Sequence, residues 1–233
     1  MVIDSLTHKG TDPSLRIRGL GLGALYLVSG LSFLAAVLNP PLLPYWGDTI
    51  ASALQLAATH RDAWTATVWL LSVAVVAATG AVWLTSTLLR NAPASVATAI
   101  YLIGATLGVA STTFDLAVTS TQLDAGNPPD WYLGTADWAD GLATAYFAVL
   151  SPVALIVLAV AILRSGTLPR WTAVLLIVAA VGLLGQFAAW GGALPFPQFL
   201  AFVAIGVRLI ARPLRNHDTS HHQPRLSSTP EGA

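Results

Sequence analysis

Long apolar stretches are the feature of this sequence that most constrains its fold. A helix needs roughly 20 apolar residues to cross about 30 Å of hydrocarbon, and its backbone must be satisfied internally. Six stretches meet or approach that length, and we place them at 17–38, 64–89, 96–122, 139–163, 171–190 and 195–212. The sixth contains Arg208, whose side chain can reach the headgroups from a helix end. The sequence therefore predicts an all-α, polytopic bundle of six transmembrane helices.

The composition agrees with a membrane protein. Hydrophobic residues make up 55% of the 233 residues and charged residues only 9%, whereas soluble domains are about a quarter charged. Lysine plus arginine and aspartate plus glutamate both number 11, so the net charge gives no reason to expect a nucleic-acid partner. The sequence has no cysteine, which excludes disulfides, thiol nucleophiles and thiolate metal sites.

Basic residues are distributed unevenly between the two sides of the predicted bundle. One side carries only Arg61, and the other carries Lys9, Arg16, Arg18, Arg90, Arg164, Arg170, Arg208, Arg212, Arg215 and Arg225. Since basic loops stay in the cytoplasm, this bias predicts that both termini are cytoplasmic in a bacterial inner membrane. The second loop on the opposite side is acidic, with Asp124, Asp130, Asp137 and Asp140.

The segments outside the spans are too short for a soluble domain. We expect a cytoplasmic N-terminal segment at 1–16, a transmembrane domain at 17–212 and a polar, disordered cytoplasmic tail at 213–233. The first span is too long for a signal-peptide core and is interpreted as an uncleaved anchor.

The first loop opposite the basic side has a pattern of its own. Asn39-Pro40-Pro41 ends the first helix, and Asp48 is suited to cap a second. The positions Ile50, Ala53, Leu54, Ala57 and Ala58 then place apolar residues on one face. This predicts a short interfacial helix at 49–60 that packs over the bundle, with a gate to a lipid-side cavity as the alternative.

Two further patterns concern helix packing and membrane depth. Gly19 with Gly23, and Gly104 with Gly108, have the spacing that lets helix backbones approach closely. Aromatic residues concentrate near one predicted interface, as expected of a headgroup belt: Tyr45, Trp46, Trp64, Trp131, Tyr132, Trp138 and Trp190. An outward-facing aromatic pocket is the alternative interpretation.

Asp115 is the ionisable residue placed well inside a predicted span. A charge at that depth costs several kcal/mol, so such residues usually face a polar interior or a water-filled cavity. Ser111, Thr119 and Gln122 share its predicted helical face. The next span carries Asp137, Asp140, Thr144 and Ser151 at spacings that also predict one face, and Gln186 lies near the outer end of the fifth span.

These polar residues predict a pocket that opens to the outer leaflet. Its lining is predicted to be Ser111, Asp115, Thr119, Asp137, Trp138, Asp140, Thr144, Gln186 and Trp190. If the protein is an enzyme, Asp115 and Asp140 are the candidate acid and base. The structural alternative is that Asp115 hydrogen-bonds to neighbouring hydroxyls and holds the helices together.

The residues that the spans lack also narrow the function. No predicted span contains lysine or histidine, which excludes a retinal Schiff base and argues against bis-histidine haem and transmembrane histidine–metal sites. The sequence has no Gly-x-Ser-x-Gly elbow, His-Glu-x-x-His motif or phosphate-binding glycine loop. No metal or cofactor is expected.

Four stretches of the chain resemble a bacterial family of small six-helix integral membrane proteins known as a domain of unknown function. They are an Arg-x-Arg-Gly motif leading to Leu25-Tyr26-Leu27, the Gly47-Asp48-Thr49 helix start, Asp137-Trp138-Ala139-Asp140-Gly141, and the hairpin Arg164-Ser165-Gly166-Thr167-Leu168-Pro169-Arg170. The resemblance covers about residues 16–190 and implies six helices in the inner membrane, with no established activity.

The sequence leaves three functions open. The first is a non-enzymatic protein that holds a lipid or another hydrophobic small molecule in the outward pocket, with an accessory-subunit role as one form of it. The second is an intramembrane enzyme acting on an isoprenoid or lipid, similar in size and in its use of carboxylates to membrane terpene cyclases. The third is a proton- or cation-coupled transporter, for which inverted repeats and interrupted helices are expected. Membrane lipid is the expected partner, and no protein partner is indicated.

Overall fold

The computed structural model describes residues 13–39, 50–123, 128–191 and 194–212, and these residues form helices and their connections. The helices are α1 (Pro13–Leu38), α2 (Ile50–Thr59), α3 (Arg61–Leu89), α4 (Ala92–Gln122), α5 (Asp130–Ser165), α6 (Arg170–Trp190) and α7 (Phe196–Ala211). The predictions for residues 1–12, for 40–49 with its Asp48 cap, and for the tail 213–233 lie outside the described residues.

The long helices pack as a closed ring in the order of the chain. α1 contacts α3, and each following helix contacts the next, until α7 packs against both α6 and α1. A continuous hydrophobic core fills the ring and includes Tyr26, Phe33, Tyr101, Leu155 and Phe202, all fully buried. The ring follows from short connections, because helices joined by tight hairpins pack as antiparallel neighbours.

Five of the described helices are long and apolar enough to cross a membrane, namely α1, α3, α4, α5 and α6. The described residues are helical, and these five helices are consistent with the predicted helical membrane bundle. α7 has only 16 residues, which is about 24 Å at 1.5 Å per residue and short of the 30 Å hydrocarbon thickness. The count of six spans and the direction of insertion stay predictions.

The two ends of the ring differ in charge. We call the end with Arg90, Arg164, Arg170 and Arg208 the basic end, and the end with Asp130, Asp137 and Asp140 the acidic end. At the basic end, Arg208 lies over the ring of Trp171 with its guanidinium carbon 5.1 Å from the ring centre. This cation–π contact holds the arginine at the end of α7, as expected for a side chain that reaches the headgroups.

Glycines let α7 approach α1 closely. A Cβ on Gly206 would lie 2.8 Å from the carbonyl oxygen of Gly23 and the backbone nitrogen of Leu27, and a Cβ on Gly30 would lie 2.8 Å from the carbonyl oxygen of Phe199. The Gly104–Gly108 pair has a different use, because both glycines contact the ring of Tyr146 from α5. At Gly104 a Cβ would also lie 3.0 Å from the Cβ of Leu150, so the pair makes room for the Tyr146 ring and for close packing of α5.

Two helices each contain a π-helical turn, at Asp115–Thr119 in α4 and at Ala145–Leu150 in α5. The second turn comes just before Pro152, which donates no hydrogen bond and crowds the preceding turn of helix. A π turn inserts one extra residue and rotates the following residues by about 100°. The predicted single face of Asp137, Asp140, Thr144 and Ser151 is therefore wrong for Ser151, which is buried while both aspartates are exposed.

Candidate functional site

A fully buried hydrogen-bond network joins three helices in the middle of the bundle. Tyr146 Oη donates to Tyr101 Oη at 2.8 Å, and Gln198 Nε2 donates to the same oxygen at 2.8 Å. Ser151 Oγ donates to Gln198 Oε1 at 2.6 Å. All four residues have zero exposure. The network therefore fixes the first turn of α7 at the level of Tyr101 in α4 and of Ser151 in α5.

Other contacts place the start of α7 at the same depth. Pro197 packs against Gly182, where a Cβ would lie 3.0 Å from the proline Cβ. On the other side, Phe33 of α1 stacks on Phe199 with centroids 4.2 Å apart and meets Phe196 edge-on at 5.4 Å. α7 thus begins about one and a half turns below the end of α1 and about two turns below the end of α6.

The ring is consequently lower at α7 than elsewhere. Above the first turn of α7, α6 continues from Gly182 to Trp190, about 12 Å, and α1 continues from Phe33 to Leu38, about 7 Å. α4 and α5 extend farther, by about 30 Å each from Tyr101 and Ser151 at the same rise per residue. We call the space above α7, between α6 and α1 at the acidic end, the step.

Aromatic rings form the floor of the step. Phe196 and Phe147 are half-buried, and Phe199 lies fully buried beneath them. Phe147 is 6.5 Å from Phe199 and 4.5 Å from Tyr146 between ring centroids. The floor is therefore apolar and sits directly on the buried network.

Gln186 supplies a polar group beside this floor. It lies one helical turn above Gly182 on the same face of α6, since four residues advance a helix by about one turn. Its Oε1 atom is buried and has no hydrogen-bond partner among the described residues. A buried amide oxygen without a partner loses the free energy of a hydrogen bond, so it marks a place where a donor is favoured.

A second hydrophobic cluster lies at the acidic end, away from α7. Leu54 and Ala57 of α2 pack there with Trp64, Val68, Leu123 and Tyr132. The predicted apolar face of α2 thus packs on the ends of α3, α4 and α5. This contact agrees with the packed-lid interpretation of α2.

Asp115 belongs to this acidic-end region. Thr119 Oγ1 donates to Asp115 Oδ1 at 3.2 Å and accepts a hydrogen bond from Tyr132 Oη at 3.1 Å. The chain Tyr132–Thr119–Asp115 links α5 to the π turn of α4. The geometry gives Asp115 a structural contact of the kind that the sequence offered as the alternative to a pocket.

The other predicted pocket residues occupy different environments. Ser111 is buried and Thr144 is half-buried. Asp137, Trp138, Asp140 and Trp190 are exposed, with Trp190 at 76% of its full accessibility. The structure brings Asp115 and Thr119 together and places Gln186 beside the step.

The predicted aromatic belt divides into two groups. Trp131, Trp138 and Trp190 are exposed, as a lipid-facing belt requires. Trp64 and Tyr132 are buried in the acidic-end cluster, at 2% and 1% exposure, so the belt interpretation is wrong for them. Trp64 packs in the cluster with Leu54 and Ala57 of α2, and Tyr132 stacks on Phe114 of α4 at 5.9 Å between ring centroids. Tyr45 and Trp46 lie outside the described residues.

The buried network was not predicted from the sequence. Tyr101, Tyr146, Ser151 and Gln198 come from three helices, and their only signal in the sequence is a polar atom within an apolar span. Polar side chains in hydrocarbon are expected to find partners inside the bundle. That rule could have flagged Gln198 and both tyrosines, although it could not have paired them.

Comparison of the chain with protein-family models, with curated proteins and with solved structures finds no match. The resemblance to the six-helix family stays a prediction.

Proposed function

We propose that the protein is an integral membrane protein that holds a lipid or another hydrophobic small molecule at the acidic end, in the step above α7. The observation that carries the proposal is the depth at which α7 begins. α7 begins about two turns below the end of α6 and about one and a half turns below the end of α1, so it does not pack against those turns. An apolar occupant would cover those turns.

The chemistry of the step favours an amphiphile. Its aromatic floor, Phe147 and Phe196, offers flat apolar contact to a hydrocarbon or ring system. Gln186 Oε1 is covered by protein atoms and has no hydrogen-bond partner among the described residues, so an occupant that displaces the covering atoms and carries a hydroxyl or amide donor would satisfy it. Pockets for small molecules commonly combine a mostly apolar lining with a few polar groups of this kind.

The rigid support under the floor is a second argument for binding. The network of Tyr101, Tyr146, Ser151 and Gln198 fixes the first turn of α7, and a preorganised floor lowers the entropy that a ligand must lose on binding. If the sequence-based orientation holds, the step opens to the outer leaflet.

The proposal is tested by identifying what co-purifies with the protein in mild detergent. Lipid extracts of the wild type, of Gln186→Leu and of the matched control Gln122→Leu are compared by liquid chromatography and mass spectrometry. Gln122 lies at the acidic end of α4, where its Nε2 atom bonds to Thr121. We expect one hydrophobic species to be enriched over bulk lipid in the wild type and the control and depleted in Gln186→Leu.

Two outcomes contradict the proposal. The first is bulk phospholipid alone in all three samples. The second is equal depletion in Gln186→Leu and Gln122→Leu, which would indicate a general effect of losing an amide.

The enzymatic alternative is separated by Asp115→Asn. Under our proposal, this variant carries the same co-purifying species as the wild type, because Asp115 is bonded to Thr119 and does not line the step. A chemically different species in Asp115→Asn, related to the first as substrate to product, would favour catalysis instead.

A further inference from the structure

A cleft of about 340 Å³ lies at the basic end, far from the step. It lies between the α3–α4 connection and the α5–α6 connection. Its lining residues are Leu89, Asn91, Pro93, Arg164, Ser165 and Thr167. It is an open surface cleft and not an enclosed cavity.

Some lining residues of the cleft are held in hydrogen bonds within the protein, and others are exposed and free to contact a bound molecule. Asn91 Nδ2 donates to the carbonyl oxygen of Ala161 at 3.3 Å, and Asn91 Oδ1 accepts from the Ala94 backbone. Ser165 Oγ donates to the carbonyl oxygen of Ile162. The Asn91–Ala161 bond holds the start of α4 against the end of α5, and the other two bonds are local to α4 and to α5. Arg164 and Thr167 are both exposed and supply the cleft's cation and its second hydroxyl.

No described carboxylate lies near the cleft. The carboxylates in the described ranges belong to Asp62, Asp115, Asp130, Asp137 and Asp140, and all of them lie in the half of the bundle that ends at the acidic end. The cleft has no described carboxylate, and three helix ends line it: the carboxyl ends of α3 and α5 contribute partial negative charge, and the amino end of α4 contributes partial positive charge. Arg164 is its one full charge among the described lining residues. The cleft favours an anionic group, and a guanidinium binds phosphate with two parallel hydrogen bonds.

Apolar surface continues from the cleft toward the middle of the bundle. Val96, one turn beyond Pro93 in α4, and Val160, one turn before Arg164 in α5, are both exposed. An occupant with a phosphate at Arg164 can therefore lay hydrocarbon along these valines. A free phosphate ion would gain nothing from that surface, whereas a lipid would bury it.

We propose that this cleft binds the phosphate headgroup of an anionic membrane lipid, with Arg164 and Thr167 contacting the phosphate and Val96 and Val160 contacting the acyl chains. The site is independent of the step. Basic residues at a cytoplasmic interface attract anionic lipid in general, but here one arginine lines a defined cleft and the neighbouring arginines do not.

The test uses the full-length protein, delipidated in a neutral detergent and titrated with phosphatidylglycerol while bound lipid is counted by native mass spectrometry. Arg164→Gln is compared with Arg170→Gln, which removes the same charge from the same hairpin outside the cleft. We expect Arg164→Gln to weaken the first bound lipid about tenfold and Arg170→Gln less than about twofold. Thr167→Val, a second variant at an exposed position, is expected to weaken it about threefold.

Three results would overturn the proposal. The first is an equal loss of lipid affinity in Arg164→Gln and Arg170→Gln, and the second is equal binding of phosphatidylcholine and phosphatidylglycerol by the wild type. The third is displacement of the lipid by millimolar inorganic phosphate, which would identify a free anion as the occupant. Equal thermal stability of the wild type and the three variants in lipid-free detergent shows that the changes act on binding and not on folding.

Discussion

Replacing Tyr101 by phenylalanine removes one oxygen atom from the centre of the buried network. That atom accepts hydrogen bonds from Tyr146 Oη and from Gln198 Nε2, both at 2.8 Å. Phenylalanine keeps the ring, so packing with Tyr146, whose ring centre is 5.8 Å away, is retained. The variant leaves two buried donors without an acceptor.

The magnitude follows from the number of donors left. A buried unsatisfied polar group costs about 1–3 kcal/mol, while hydrogen bonds between membrane helices contribute on average about 0.6 and at most about 1.7 kcal/mol. For two donors we expect Tyr101→Phe to lower the free energy of unfolding by about 2–3 kcal/mol. Tyr146→Phe removes a single donor, and we expect a loss of about 1 kcal/mol.

Tyr26→Phe is the matched control. Tyr26 is also fully buried, but its hydroxyl has one partner, Thr85 Oγ1 at 3.0 Å, and Thr85 keeps a second bond to the carbonyl oxygen of Ala81. We expect a loss of about 0.5–1 kcal/mol for this variant.

The assay is reversible unfolding in mixed micelles with increasing dodecyl sulfate, followed by far-ultraviolet circular dichroism. The double variant Tyr101→Phe/Tyr146→Phe leaves only the Gln198 donor unpaired, so its cost should fall about 2 kcal/mol below the sum of the single variants. The reasoning is refuted if Tyr101→Phe costs no more than Tyr26→Phe, or if the two single variants are additive.

Two further substitutions test the packing and a strained turn. Gly206→Ala should lower the free energy of unfolding by about 1–3 kcal/mol, because its Cβ would meet the α1 backbone. The control Gly21→Ala has open space around its Cβ and should be neutral or stabilising. Equal effects of the two variants in the same unfolding assay would contradict the close approach of α7 to α1. Arg90→Gly should raise the free energy of unfolding by about 0.5–1 kcal/mol, because Arg90 has a φ of 50°, a conformation that is unstrained for glycine. A loss of stability would show that the contacts of the Arg90 side chain contribute more free energy than the strained backbone costs.

The helical elements could largely be read from the sequence. Apolar runs of membrane-spanning length predicted α1, α3, α4, α5 and α6, and the spacing of Leu54 and Ala57 predicted α2. These features depend on the local composition and on the spacing of apolar residues. Both act within one helix, because in hydrocarbon each helix must form its backbone hydrogen bonds internally. The unequal distribution of arginines separated a basic end from an acidic end by the same local logic.

The tertiary structure alone decided how deep α7 lies and what it contacts. The apolar run from Pro195 predicted a span, but the length of α7 and its level depend on Gly182, Gly206 and Gln198, whose partners lie on other helices. The π turns likewise altered the faces: a helical projection put Ser151 with Asp140, and the turn before Pro152 separated them. Hydrogen-bond partners as distant in the chain as Tyr101 and Gln198 are determined by the packing of the helices. The candidate site rests on that contact, so it can be located only from the tertiary structure.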